Sequence, residues 1–523
     1  MWAILREPCD ENIIRSQSPE AQCSKPRGRW ILAATILASG MAFIDGTVVN
    51  VALPALQTNL NATAVDVQWV IEAYSLVLAA FLLVGGSLGD HYGRRRIFLI
   101  GVWAFAMASA ACGCAGNIHQ LIAARAFQGL GAALLVPGSL AIISNSFSEQ
   151  ERGRAVGTWS GLSAITTGIG PVLGGWLIEH VSWRAVFFIN LPIALLVILI
   201  SRRHVADSAG KENRSIDWLG AILAAFGLGA LVYGLIESSR LGFRDRTVTG
   251  VLILAASLLF IFCFIESRLS HPMLPLTLFR SRMFTETNIL TFLLYAALGG
   301  TLFFLPLNLI QVQHYSPTAA GAALLPFILI MSLLSRWSGG LVARCGPRPP
   351  LIVGPLVAAL GYALFLPPSI GGSYWTTFFP AIVAIGLGMA ISVAPLTTAV
   401  MNSVAQSRAG VASGVNNAVA RTAGLVAIAV LGIVMFQVFK SGLDRRLNEA
   451  KLSPQVTELL RAHATKLAAI ALPEGLDPAA RQRIRATVDE AFVEGFRSVA
   501  AIGAVLAGAS ALTAFITVGH SRK

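Results

Sequence analysis

Long apolar segments separated by short polar loops dominate this chain and restrict the folds open to it. Hydrophobic residues occupy 55% of the 523 positions and charged residues only 12%. About 20 apolar residues suffice for a helix to cross a bilayer, where only helices and closed barrels satisfy their own backbone hydrogen bonds. The pattern predicts an all-α membrane protein with fourteen transmembrane helices, at approximately 30–54, 68–89, 97–115, 118–145, 154–179, 183–201, 216–236, 247–266, 284–311, 318–342, 350–367, 374–402, 410–439 and 498–518.

The distribution of lysine and arginine predicts which side of the membrane each loop occupies. If the N-terminus is cytoplasmic, arginine clusters such as Arg94–Arg96 are cytoplasmic too, and the opposite loops at 55–67, 312–317 and 368–373 contain no lysine or arginine. The short loop at 240–246 is an exception, but the bias of the short loops as a whole places both termini in the cytoplasm. The net charge of +13 therefore reflects topology, and no nucleic-acid partner is expected.

The hydropathy pattern also predicts the domain organisation. Residues before the first span lack a cleavable apolar core, and the six cysteines show neither a disulfide framework nor metal-ligand spacing, so no metal site is expected. The predicted units are a cytoplasmic N-terminal tail at 1–29, an N-terminal six-helix bundle at 30–201, a linker with two inserted transmembrane helices at 202–282, a C-terminal six-helix bundle at 283–518 that includes an extracytoplasmic insertion at 440–497, and a cytoplasmic tail at 519–523.

The insertion at 440–497 carries its own helix signal. Asp477 followed by Pro478 is typical of an N-cap and a first helical position, and predicts an amphipathic helix toward Phe496. Its mixed charges favour a solvated cap, with a partner-binding surface as the alternative.

An internal repeat relates the two halves. The pattern G-x-L-x-x-x-x-G begins at Gly86, after the second predicted helix, and again at Gly339, at the end of the tenth. Both copies end the second helix of a six-helix block, where glycines permit a sharp turn or close packing. Parallel repeats of this kind place the substrate site at the interface between the halves.

Asp45 is an acidic residue in the middle of the first apolar segment. An acid at such a depth costs about 2.5–3.5 kcal/mol on insertion scales, so those that persist face a bundle interior or a wet cavity. Two roles remain open for it: reversible protonation, or a structural hydrogen bond to a neighbour such as Asn50.

Several short motifs occur in a fixed order along the chain. Besides GSLGDHYGRRR at 86–96, they are DGTVVNVALP from Asp45, RAFQGLG from Arg125, GPVLGG from Gly170, the segment from Trp183 to NLP, and GVASGVNN from Gly410 with Arg421. Together they resemble the signatures of the major facilitator superfamily, and more narrowly its 14-helix drug:proton antiporter branch, which includes bacterial multidrug exporters. One departure is Thr166, which stands where the antiporter motif has glycine, although the core G-P-x-x-G-G is kept.

The resemblance implies a fold and an activity. The implied fold is the major-facilitator type, two six-helix bundles plus two inserted helices, in the bacterial cytoplasmic (inner) membrane. The implied activity is proton-coupled export of drugs or other amphipathic small molecules by alternating access, driven by a proton gradient without a cofactor. The expected partners are the substrate, protons and the lipid bilayer, and the chain acts either as a monomer or with a periplasmic adaptor.

Individual residues receive roles from their position and from the resemblance. A buried Arg125 requires an acid or carbonyl partner, for which Asp45 and Glu72 are both open, and Asp90 beside three arginines predicts a gate latch. The full set is proton coupling at Asp45, Arg125 and Glu72, gating at Asp90, Gly86, Gly93, Arg94 and Arg95, the antiporter motif at Gly170, Pro171, Gly174 and Gly175, and a cavity or coupling role for Asn50, Gln128, Asn417 and Arg421.

Competing functions are separated by what the sequence lacks. It contains no P-loop or other nucleotide fingerprint, so an ion or substrate gradient supplies the energy, and it contains no catalytic constellation, so an enzyme is not expected. A solute importer or symporter of the same fold remains the alternative within transport. A membrane receptor or scaffold is the alternative outside it.

Overall fold

The structure is a computed structural model in which helices account for nearly all of the described chain. No strand occurs within the ranges that the structure describes. These ranges exclude most of the predicted N-terminal tail and the last six residues, so both tails lie outside or largely outside them. The described residues are 25–147, 149–206, 217–269, 272–339, 341–404, 409–449, 454–472 and 477–517.

The N-terminal bundle is built from helices with local start signals. Thr63 and Asp66 form a reciprocal capping box at the start of the second helix, and Asn117 accepts a hydrogen bond from the backbone of Gln120 at the start of the fourth. The helices are α1 (Lys25–Asn59), α2 (Ala64–Tyr92), α3 (Arg94–Cys114), α4 (Ile118–Ser146), α5 (Glu149–His180), α6 (Ala185–Phe188) and α7 (Asn190–His204).

Two further helices form a hairpin between the bundles. These are α8 (Trp218–Leu241), capped by Asp217, and α9 (Arg246–Glu266), capped by Asp245. Helix α8 packs against α2 and also against a helix of the C-terminal half, α17. Most of α9 is exposed and apolar, as expected for a helix that faces lipid.

The C-terminal bundle begins after the hairpin and a short 3₁₀ turn at Leu276–Arg280. Its first helix ends in a π turn at Asn308–Val312. The helices are α10 (Arg282–Leu307), α11 (Pro317–Ala323), α12 (Leu325–Gly339), α13 (Leu341–Cys345), α14 (Arg348–Ala363), α15 (Tyr374–Thr377), α16 (Phe379–Asn402), α17 (Ala409–Glu449), α18 (Pro454–Ala462) and α19 (Pro478–Thr517).

The internal repeat is visible in the backbone. Gly93 joins α2 to α3 at a φ of 102°, and Gly346 joins α13 to α14 at a φ of 76°. Residues other than glycine rarely adopt such positive angles. The second glycine of each repeat copy therefore makes the same sharp turn at the equivalent place in its bundle.

Twelve described helices are long and apolar enough to cross a membrane, so the chain is an integral multi-pass membrane protein. Two predicted spans, those of α5 and α14, are not among the twelve. Helix α14 contains only 16 residues. The count of fourteen spans therefore stays a prediction.

The predicted insertion at 440–497 continues the last two bundle helices. Helix α17 runs unbroken to Glu449, and α19 runs unbroken from Pro478 to Thr517. Asp477 accepts a hydrogen bond from the backbone of Ala479 at 3.2 Å, in agreement with the predicted helix start. We call the end of the bundles that carries this segment the cap end, and the end that carries Gly93 the opposite end.

The segment between α17 and α19 is more than a solvated cap. A 3₁₀ turn at Ala464–Ala469 contacts α1 and α2 of one bundle and α17 and α19 of the other. Leu467 and Ala468 are buried in the same apolar cluster as Leu53 of α1. This turn therefore lies over the junction of the bundles and joins them by apolar contact.

Candidate functional site

A buried ion pair occupies the interior of the N-terminal bundle. Asp45 of α1 is fully buried and Arg125 of α4 is 1% exposed. The Arg125 guanidinium donates to Asp45 Oδ2 and forms an ion pair with it. Two charges removed from water need close pairing and further hydrogen bonds to offset their desolvation.

Neutral side chains supply these further hydrogen bonds. Gln128, one turn from Arg125 on α4, accepts from the guanidinium at 2.7 Å and donates to Asp45 Oδ1 at 2.8 Å. Asn190 of α7 donates to Asp45 Oδ1 at 3.4 Å and to the Ser109 hydroxyl of α3 at 3.0 Å. Four helices of one bundle thus contribute to a single polar network around the Asp45 carboxylate.

Helix α2 covers the network from another side. Arg125 Nε donates to the Val70 carbonyl at 3.0 Å, and the guanidinium carbon lies 4.3 Å from the centre of the Tyr74 ring. The Tyr74 hydroxyl in turn donates to the Ala42 carbonyl of α1 at 3.3 Å. A cation over an aromatic face is stabilised by the ring quadrupole, so Tyr74 holds Arg125 without neutralising it.

The structure assigns Asp45, and not Glu72, as the acid paired with Arg125. Glu72 is fully buried on α2, and neither of its carboxyl oxygens has a hydrogen-bond partner within the described part of the chain. One turn away, Gln68 donates to the Ile428 carbonyl of α17 at 3.5 Å. Glu72 therefore lies buried, close to the contact between α2 and α17.

The remaining polar candidates lie apart from the buried pair. The Asn50 amide donates to the Gly46 carbonyl in its own helix, at 3.3 Å, rather than to Asp45. Arg421 donates to Asn417 Oδ1 at 3.2 Å on α17. Asn417 is exposed and Arg421 partly exposed. Of the four residues given a cavity or coupling role, the structure brings only Gln128 into the network.

The antiporter motif packs α5 against two helices at once. A side chain in place of Gly170 would overlap Thr47 of α1, and one in place of Gly174 would overlap Val48. On the other side, a side chain at Gly175 would overlap the Pro317 carbonyl of α11. These glycines therefore permit close contact within the bundle and across to the C-terminal bundle.

The contact across the bundles is reciprocal. A side chain at Gly321 of α11 would overlap the Pro171 carbonyl of α5. Nearer the cap end, the Thr318 hydroxyl donates to Glu179 at 2.5 Å, and the Gln311 side-chain amide donates to Gln57 Oε1 at 2.7 Å. In this structure the two bundles thus hold each other closely toward the cap end.

The predicted gating residues cluster at the opposite end. Gly86 lies in the last turns of α2, Gly93 makes the turn into α3, and Arg94 begins α3. The Arg95 guanidinium donates to the Val205 carbonyl at the end of α7, at 3.0 Å. The side chain of Asp90 lies outside the described residues, so its predicted latch is not tested.

Sequence reasoning missed three members of the network. Asn190 is part of the NLP segment, but nothing in its local sequence distinguishes it from a helix-start residue. Ser109 lies in a run of small residues and Tyr74 in an ordinary apolar helix, so neither carries a signal. Among the described residues, no group of three metal-ligating side chains is suitably placed for an ion.

Comparison with known proteins gives matches over most of the chain. Residues 35–429 match the model of the Major Facilitator Superfamily. Multidrug resistance protein Stp of Mycobacterium tuberculosis (strain CDC 1551 / Oshkosh) is 35% identical over 89% of this chain and 87% of its own length. The tetracenomycin C resistance and export protein of Streptomyces glaucescens is 34% identical over 95% of this chain and 92% of its own length.

A solved structure shares the fold. The crystal structure of a bacterial homologue of the human lysosomal transporter Spinster superposes with a TM-score of 0.67, covering 95% of this chain and 98% of the homologue. The sequence identity is 18%, so this likeness concerns the architecture of two helical bundles alone.

Proposed function

Because this chain belongs to the major facilitator superfamily, we propose that it exports drugs or other amphipathic small molecules in exchange for protons, by alternating access. It is a membrane transporter of the drug-resistance type rather than an enzyme. The observation that carries the exchange mechanism is the ion pair of Asp45 and Arg125, buried inside a transmembrane bundle and completed by neutral hydrogen bonds. Proton transfer to such a carboxylate changes the charge balance of a whole bundle.

The coupling step begins with protonation of Asp45. Loss of its charge weakens the attraction to Arg125, which keeps Gln128 and the Val70 carbonyl as acceptors. Arg125 remains charged, because a guanidinium does not lose its proton in proteins. The bundle then holds an uncompensated cation next to Tyr74, and the resulting cost favours a different arrangement of α1, α2 and α4.

Glu72 is a second acid for this exchange. A fully buried carboxylate without hydrogen bonds is costly, and Glu72 lies one turn from the Gln68 contact to α17. Rocking of one bundle against the other would separate α2 from α17 and hydrate this carboxyl. We therefore assign Glu72 to proton coupling independently of Arg125.

Alternating access requires two gates. The close contact of α5 with α11 through Pro171 and Gly175 forms the gate toward the cap end, and Gly170 and Gly174 pack α5 against α1 behind it. We assign the gate at the opposite end to Asp90 with Gly86, Gly93, Arg94 and Arg95, because this loop joins α2 to α3 and is tied to α7. Breaking one gate while forming the other is the switching step.

Energetics allow a proton gradient to drive the exchange without a cofactor. One charge that moves across about 100 mV releases about 2.3 kcal/mol, and each 1.4 kcal/mol corresponds to a tenfold concentration ratio. We propose, from the arginine bias, that the protein lies in a bacterial inner membrane with the opposite end and both termini facing the cytoplasm. Substrate then leaves at the cap end, either directly or to a periplasmic adaptor.

Inverted membrane vesicles provide the direct test. With an imposed proton gradient, vesicles containing the protein should accumulate amphipathic drugs from a broad panel, and Asp45→Asn should reduce proton-dependent accumulation to the level of empty vesicles. Glu286→Gln is a matched control, since it makes the same chemical change at an ion pair with the exposed Arg282 in the other bundle. Full activity of Asp45→Asn would exclude Asp45 from coupling, and proton-driven movement in the opposite direction would favour an importer.

A further inference from the structure

One face of α17 combines polar side chains with open space. Asn417, Arg421 and Gly424 lie at helical spacings of four and three, so they share one side of the helix. Asn417 is exposed, Arg421 is partly exposed, and a side chain added at Gly424 would meet no atom within 4 Å. We call this the α17 polar face.

Arg421 of the α17 polar face lies near residues of both bundles. Helix α17 packs against α10 and against α2 of the other bundle, and Arg421 lies near Tyr295 of α10 and Tyr74 of α2. Tyr74 also carries Arg125 against its ring. Arg421 therefore lies where α17 meets the other bundle, near the tyrosine that carries Arg125 of the coupling pair.

Within the described part of the chain, the charge of Arg421 has no ion-pair partner. Its hydrogen bond goes to the neutral Asn417, and no carboxylate of the described residues forms an ion pair with it. Asp45 is fully buried and already paired with Arg125. Charged groups in the interior of a membrane protein are costly and are usually paired with one another or with a ligand.

We propose that Arg421 binds the acidic group of the transported molecule, so that the preferred substrates are amphipathic aromatic acids that carry a carboxylate or phenolate. This inference rests on the proposed export function and names its substrate class. A guanidinium is suited to two parallel hydrogen bonds with a carboxylate, and the Tyr295 ring provides an aromatic surface beside it. The same positive charge repels organic cations, which makes the site selective by charge.

Two dyes with one ring system and opposite charge separate this idea from general apolar binding. Fluorescein is an anionic xanthene and rhodamine 123 a cationic one. Their binding to the full-length purified protein is measured by fluorescence anisotropy, without any gradient. The wild type should bind fluorescein about tenfold more tightly than rhodamine 123, which corresponds to about 1.4 kcal/mol.

Variants at one position then assign the preference to the guanidinium. Arg421→Gln should weaken fluorescein binding about tenfold and leave rhodamine 123 binding equal or tighter, and Arg421→Lys should keep part of the fluorescein affinity. Arg445→Gln removes an arginine from the cap end, where Arg445 pairs with Glu494, and should change neither dye. Rhodamine 123 binding also reports that each variant is folded.

Several results would overturn the inference. It fails if the wild type shows no preference for the anion, if Arg421→Gln weakens the binding of both dyes equally, or if Arg445→Gln has the same effect as Arg421→Gln.

Transport in inverted vesicles is a separate measurement that tests the export function. A preference for fluorescein in binding, without proton-driven uptake of either dye, would contradict the export function and leave the anion site standing. Proton-driven uptake of rhodamine 123 without an anion preference in binding would contradict the anion site and leave the export function standing.

Discussion

Two buried polar clusters, one in each bundle, differ in charge. In the N-terminal bundle, Asp45 and Arg125 form an ion pair inside a network of amides and a hydroxyl. In the C-terminal bundle, the polar cluster between α10 and α17 is neutral: Asn416 donates to Asn288 at 3.2 Å and to the Thr291 hydroxyl at 2.6 Å. The two halves, which an internal repeat relates, therefore share an architecture, but one cluster is charged and the other is neutral.

This difference assigns distinct tasks to the bundles. An ion pair responds to a proton, because neutralising one member leaves the other uncompensated. A neutral amide cluster has no such response and serves to fix the packing of α10 and α17. We therefore expect proton dependence to reside in the N-terminal bundle, and the C-terminal bundle to contribute packing and the α17 polar face.

Of the changes that test this difference between the bundles, breaking the ion pair should have the largest effect, which is a loss of stability. Arg125→Gln leaves the buried Asp45 carboxylate without its cation, at a cost of about 3–5 kcal/mol. The double variant Asp45→Asn with Arg125→Gln removes both charges and should recover much of this loss. The measurement is the temperature at which each purified variant loses half of its monodisperse fraction. A double variant less stable than Arg125→Gln would show that the pair is not the source of the cost.

Separating the bundles at the cap end should have an intermediate effect. Gly175→Val places a side chain against the Pro317 carbonyl of α11, and overpacking of this kind costs about 1–3 kcal/mol. We expect less of the conformation closed at the cap end, and hence several-fold less crosslinking between cysteines placed at Gln57 and Gln311, whose side chains are hydrogen-bonded.

A second glycine provides the control for that experiment. A side chain at Gly508 of α19 would meet no atom within 4 Å, so Gly508→Val should leave the crosslinking unchanged. The background chain would have its six native cysteines replaced. Unchanged crosslinking in Gly175→Val would show that the α5–α11 contact does not set the closure of the bundles.

Disrupting the neutral cluster should have the smallest effect. Asn416→Leu removes two hydrogen bonds to neutral partners, worth about 0.5–1.5 kcal/mol each, and changes no charge. Thermal stability should fall modestly, and drug uptake in inverted vesicles should keep its full dependence on the proton gradient. Loss of the dependence on the proton gradient in Asn416→Leu would contradict the proposed division of tasks between the bundles.

Local signals predicted a large part of the fold and some of the site. Hydropathy located the helices, Asp477 and Pro478 located the start of α19, and the repeat located the turn glycines Gly93 and Gly346, because each of these depends on a few neighbouring residues. The depth of Asp45 in an apolar segment marked it as a candidate for proton coupling, and this role stays a prediction. The continuity of α17 and α19 beyond the apolar spans was harder to predict, since polar residues extend α17 to Glu449 and form the first part of α19 from Pro478.

The sequence by itself thus determined that the chain forms apolar helices, that they repeat, and that an acid and an arginine lie among them. Only the tertiary structure decided that Arg125 pairs with Asp45 rather than Glu72, that Asn190 and Ser109 complete the pair, and that Arg421 lies where α17 meets the other bundle. The physical reason is that partner choice depends on how each helix is rotated and packed. Asp45 and Arg125 are 80 residues apart, and no local pattern encodes their contact.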